Sequence, residues 1–81
     1  MKKEELVDYI AHGREIEFKY KEKMYSITYN PLETDDYISL CEFDKEPTNV
    51  KNIDELIKIE CDGITVLKIL ESIPYQDIWI Y

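Results

Sequence analysis

Glycine and proline are scarce, two and three in 81 residues, so the chain holds no stretch loose enough to act as a long linker. With one histidine it cannot build a multi-histidine metal centre, and with two glycines it has no phosphate-cradling loop. Cys41 and Cys61 match no zinc or redox spacing; both read as small core hydrophobes in a reducing compartment, with a disulfide only if the fold brings them together. No apolar run approaches the roughly 20 residues that span a bilayer. The opening Met1-Lys2-Lys3-Glu4-Glu5 leads into no apolar stretch of the signal-peptide kind, so a cytoplasmic protein is expected. Basic charge is also short: ten Lys and Arg face 18 Asp and Glu, a net charge of −8. The first 30 residues balance at six of each sign, and all the excess acid lies beyond Asn30. Nucleic-acid backbones and anionic membranes attract basic surfaces, so neither is an expected partner.

What the chain does have is an apolar fraction of 44%, ample for a folded core, and a length that fits one domain, residues 1–81. The most legible segment is residues 14–30. Ile16, Phe18 and Tyr20 alternate with polar residues, as do Tyr25, Ile27 and Tyr29 after a charged break at Lys21-Glu22-Lys23. Period-two alternation on both sides of a break predicts a β-hairpin with one buried face. A two-residue loop pairs Phe18 with Tyr25, and a four-residue loop pairs Phe18 with Ile27; either keeps the apolar face intact. Glu15, Glu17, Ser26 and Thr28 then point toward solvent.

The rest of the chain reads as an α+β two-layer domain with its helices on one face of an antiparallel sheet. A first helix covers about Lys3 to His12, with Leu6, Val7 and Ile10 as its apolar stripe and Gly13 as its stop. Tyr37 to Phe43 is a third strand whose two faces are not clearly distinct in polarity, so its buried side is open. Residues 44–49 read as a loop. Asn52 with Glu55 forms a capping-box signature for a short helix that runs toward Cys61. Asp62-Gly63 is a turn, and Ile64 to Ile73 a further helix, with an extended start at its β-branched residues left open. Residues 77–81 alternate and predict a closing strand. Phe43 and Trp79 are expected to plug the core.

The search for chemistry returns no catalytic residue, metal site or cofactor. His12 falls in the last turn of a helix, where a partly cationic ring suits the dipole, with no nucleophile motif beside it. The paired acids Asp35-Asp36, Asp54-Glu55 and Glu60 with Asp62 lack the oxygen ladder of a calcium loop. Two candidate sets remain. Asp35, Asp36, Glu42, Asp44 and Glu46 flank the third strand and could form one acidic patch. Tyr37, Tyr75 and Tyr81 are the tyrosines least needed by the core, and exposed tyrosine is a favoured interface anchor.

The run Gly13-Arg14-Glu15-Ile16-Glu17-Phe18-Lys19-Tyr20, continuing through Lys21-Glu22-Lys23-Met24-Tyr25-Ser26-Ile27 after a short helix, resembles the opening of small uncharacterised accessory proteins. Gram-positive bacteria, their phages and mobile elements encode these proteins. Asp54-Glu55-Leu56 and Asp62-Gly63 fit the same pattern. One departure is the hairpin turn, Lys21-Glu22 where a glycine-containing turn is expected. The resemblance implies a compact accessory protein and transfers no site residue. Together these readings predict a non-catalytic, acidic protein-interaction module. It would serve as an accessory or inhibitor protein acting on a basic or nucleic-acid-binding protein partner. Two-fold homodimerisation through a bare sheet edge is also expected. The alternative is a small-molecule-binding or enzymatic domain with its site at a dimer interface.

Overall fold

A computed structural model of the chain describes residues 1–30 and 37–81. The elements run α1 (Lys3–Ala11), β1 (Ile16–Tyr20), β2 (Lys23–Asn30), β3 (Tyr37–Glu42), β4 (Thr48–Val50), α2 (Ile53–Leu56), β5 (Glu60–Cys61), β6 (Ile64–Thr65), α3 (Val66–Ser72), a single 3₁₀ turn at Tyr75–Asp77, and β7 (Ile78–Ile80). Five strands form one antiparallel sheet in the order β4-β3-β2-β1-β7, and β5 with β6 makes a separate small hairpin. The radius of gyration is 11.8 Å, against about 11.7 Å for a compact chain of this length. The α+β class and two-layer arrangement expected from the sequence hold; β7 is the closing strand foreseen, and β4 is the one strand of this sheet that was not.

The sequence alternation sets the register. Phe18 lies opposite Tyr25 and Ile16 opposite Ile27, so the loop is the two-residue one, Lys21-Glu22. Both loop residues are left-handed, with φ of 50° and 63°. A turn of this shape matches the right-handed twist of the strands, but it usually recruits Asn or Gly because a Cβ is strained there. The Phe18 and Tyr25 rings stack across the strands with centroids 5.1 Å apart. Ile27 continues to Leu40 on β3, and Phe18 to Ile78 on β7. All of these point to one face.

Onto that face pack Leu6 and Ile10 of α1, Leu56 of α2, and Val66, Ile69 and Leu70 of α3, forming one core cluster. Phe18, Leu6, Ile16, Ile27, Leu56 and Ile69 are fully buried, each worth about 1.5–3 kcal/mol of burial free energy. Every helix among the described residues thus lies on the same side of the sheet. Caps fix the helix starts. Asn52 Oδ1 accepts from Glu55 N at 2.9 Å, and Thr65 Oγ1 from Lys68 N at 3.4 Å. Glu5 Oε1 accepts from Lys2 N at 3.1 Å and from the Tyr75 hydroxyl at 2.8 Å, tying the 3₁₀ turn to α1.

Several expectations need correction. Residues 44–49 are not all loop: Thr48–Val50 adds β4, with Val50 opposite Ile38. Three residues after a proline are too few to show a period. The third strand stops at Glu42, because Asp44 turns the chain with a φ of 68°. The helix after Asn52 is one turn long; Ile59 N already bonds Leu56 O, and Cys61 sits on β5. Ile64-Thr65 is extended, and the helix proper begins at Val66. Val7 is 38% exposed and thus at the margin of the α1 stripe. Phe43 and Trp79 do not plug the core: they are 45% and 39% exposed, on the sheet side opposite the helices. Both cysteines are free; Cys61 is buried as expected, while Cys41 is half-buried on that opposite side.

Candidate docking surface

Strand alternation sorts the remaining side chains onto the sheet's second face. Among the described residues no helix covers it. Its centre is polar and internally bonded. Thr28 lies opposite Ser39, and Ser39 opposite Asn49. The Ser39 hydroxyl donates to Asn49 Oδ1 at 2.5 Å, and Asn30 Nδ2 donates to Ser39 Oγ at 3.3 Å. Ser39 is consequently buried, although it belongs to this face. The ladder explains why β3 looked apolar on both sides: Ile38 and Leu40 face the helices, while Tyr37, Ser39 and Cys41 face away.

Aromatic residues rim this polar centre. Phe43 continues the register beyond β3, its N–H bonded to Met24 O at 2.9 Å. At the opposite edge, Trp79 on β7 lies directly across from Glu17. Tyr81 follows on the same side and is 60% exposed; its backbone N–H bonds Glu15 O at 2.8 Å, and its hydroxyl reaches Glu17 Oε1 at 3.5 Å. Arg14 Nε donates to Tyr81 O at 2.7 Å, fastening this end of β7 to the sheet. The neighbouring Glu17 carboxyl holds the Glu15 carboxyl above its ordinary pKa, and partial burial adds to the shift. Burial and the neighbouring Glu17 likewise raise the Tyr81 phenol.

Among the described residues the expected tyrosines lie apart, while two of the expected acids, Glu42 and Glu46, line one cleft. Tyr37 is half-buried on the helix-free face, and Tyr81 lies at its far edge. Tyr75 is 61% exposed but sits on the helix side, donating to Glu5. Asp44 and Glu46 are exposed on the β3–β4 connection, and Asp35 and Asp36 lie outside the described residues. Glu42 turns toward the helix side, where Lys23 Nζ lies 3.8 Å from it and 3.4 Å from Asp62. There Glu42, Glu46, Glu60 and Asp62 line a cleft of about 270 Å³ over Tyr25 and Cys61. Burial, reinforced by the charges around it, pushes the Tyr25 phenol up to about 12 and raises the Cys61 thiol as well, so neither is an activated nucleophile at neutral pH. His12 is exposed at the end of α1, its Nδ1 2.7 Å from Asp8 O. Among the described residues no group of His, Cys, Asp and Glu is arranged to hold a metal. Nor is any helix among them long and apolar enough to cross a membrane.

The residues that sequence reasoning missed are Trp79, Phe43 and Glu17. The signal was present in part: Trp79 lies between Ile78 and Ile80, so burying those two would have forced the tryptophan outward. Compared with protein families, curated proteins and solved structures, the chain matches none of them.

Proposed function

We propose that the protein is a non-catalytic interaction module that receives a protein partner on the helix-free face of its sheet. The observation that carries this reading is the placement of α1, α2 and α3 on one side, leaving Trp79, Tyr81 and Phe43 exposed on the other. Exposed aromatics around a polar, hydrogen-bonded centre have the composition of a protein interface rather than of an ordinary solvated surface. The acidic residues beyond Asn30, Asp44 and Glu46 among them, steer a basic partner toward the molecule without making its central contacts. This is the behaviour of a cytoplasmic accessory or inhibitor protein of the kind that its opening residues resemble.

A second reading, a small-molecule-binding domain, rests on a groove of about 550 Å³ between α1 and α2, lined by Val7, Ile10, Ala11, Tyr29, Ile38 and Ile53. The two readings separate in a pull-down from the native host using wild type, Trp79→Ser with Phe43→Ser, and Val7→Ser as baits. A partner captured by wild type and Val7→Ser but lost with the face variant supports the module. Retention by the face variant overturns it.

A further inference from the structure

We propose that the β1–β7 edge of the helix-free face, built from Glu15, Glu17, Trp79 and Tyr81, binds an arginine or lysine side chain presented by a basic segment of the protein partner. This deepens the docking reading above and rests on it.

Three features point to a cation as the occupant. The antiparallel register sets Trp79 directly across from Glu17, so their side chains rise as cross-strand neighbours from the same face. Tyr81 closes the group from the same strand, its hydroxyl 3.5 Å from Glu17 Oε1. A carboxylate with an exposed indole beside it offers a guanidinium both an ion pair and a ring face to lie on.

The second feature is that these acids have no cation of their own. The ion pairs among the described residues join Lys3 to Asp54, His12 to Asp8, and Lys23 to Glu42 and Asp62. None involves Glu15 or Glu17. Arg14, the nearest basic residue in sequence, directs its Nε to the Tyr81 carbonyl instead. Lys19, two residues beyond Glu17 on the same face, forms no pair with it. The acids Glu42 and Asp62 differ in this respect, because Lys23 already pairs with both.

The third feature is that Glu15 and Glu17, two positions apart along the chain, lie on the same face. Like charges so placed repel, and a bound cation would relieve the repulsion. Charge complementarity therefore selects a basic segment over an acidic or neutral one. It also selects such a segment over a second copy of this chain, whose net charge of −8 opposes self-association.

Trp79 is the sole tryptophan, so its indole reports on this site alone. The experiment titrates a capped Gly-Arg-Gly-Arg-Gly peptide into the full chain at low salt, recording Trp79 fluorescence and amide and indole shifts by NMR. The lysine, glutamine and glutamate versions of the peptide are titrated in parallel. The expected result is saturable movement of the Trp79 indole and the Glu17 amide with arginine or lysine and none with glutamine or glutamate. Glu17→Gln should weaken binding by about two- to fivefold, the scale of one exposed ion pair, while Glu4→Gln, an exposed acid on α1, should leave it unchanged. Circular dichroism would show both variants folded.

Equal binding of the glutamine peptide overturns the charge argument. Shifts centred on Glu42 and Asp62 overturn the location. If no peptide moves Trp79 while Trp79→Ser still abolishes partner capture, the cation site falls and the docking face stands. If capture also survives that variant, both fall.

Discussion

Lys21 and Glu22 sit in left-handed backbone at φ of 50° and 63°, where an L-residue costs about 1–2 kcal/mol relative to glycine or asparagine. Replacing them by Lys21→Asn and Glu22→Gly should therefore stabilise the fold, and the structure indicates by how much. Glycine at position 22 removes that strain but frees the unfolded chain, offsetting about 0.4–1 kcal/mol. Asparagine at 21 tolerates the conformation but gives up the Lys21 ammonium, which lies 5.4 Å from the centre of the Tyr20 ring. An exposed cation–π contact of this kind is worth about 0.5–1 kcal/mol. The balance is a net gain of about 1 kcal/mol for the pair, which in a domain of this size raises Tm by about 4–8 °C. Urea denaturation followed by circular dichroism measures the change, with an unaltered slope showing that the unfolded state has not shifted. A double variant no more stable than wild type would refute the claim that this turn is strained.

Other predictions concern the core and its titrating groups. Phe18→Ala removes a fully buried ring stacked on Tyr25 and should cost about 3–5 kcal/mol; a loss under about 1 kcal/mol in the same urea assay would contradict the register. Tyr25 holds its proton to about 12, above its ordinary value of 10.0. On raising the pH through 10 the unfolded state releases that proton first, so stability should fall from there upward, and Tyr25→Phe should flatten the fall in alkaline melts. Glu5 is held below its ordinary value of 4.5 by the Lys2 N–H, then by the Tyr75 hydroxyl. Its contribution is present above 4.5 and lost as the pH drops through the lowered value, so Glu5→Gln should lower Tm at neutral pH and have little effect in strong acid.

Much of the fold was legible because two signals were long and regular. The alternation through Ile16, Phe18, Tyr25 and Ile27 fixed which face is buried, and the Leu6–Ile10 spacing placed α1 upon it. Three short strands left no comparable trace: β4, β5 and β6 take their extended form from partners across the sheet or turn, not from local pattern. The candidate surface was less legible, for a physical reason. A large aromatic reads as core material until the burial of its neighbours is known, and the burial of Ile78 is what turns Trp79 outward. Likewise, Glu42, Glu46, Glu60 and Asp62, all beyond Asn30, line a cleft on the helix side rather than the helix-free face. Glu42 goes to the helix side with Lys23, and the unpaired acids Glu15 and Glu17 come from the charge-balanced first third of the chain.

Site-directed photo-crosslinking in the native cell tests the docking face most directly, because it needs no prior identity for the partner. A photo-reactive phenylalanine analogue is placed singly at Trp79 and Phe43 on the helix-free face, and at Val7 and Tyr75 on the helix side. The account predicts one discrete, higher-mass adduct from positions 79 and 43, weakened by salt, and none from 7 or 75. An adduct formed from 7 or 75 but absent from 79 and 43 would contradict it.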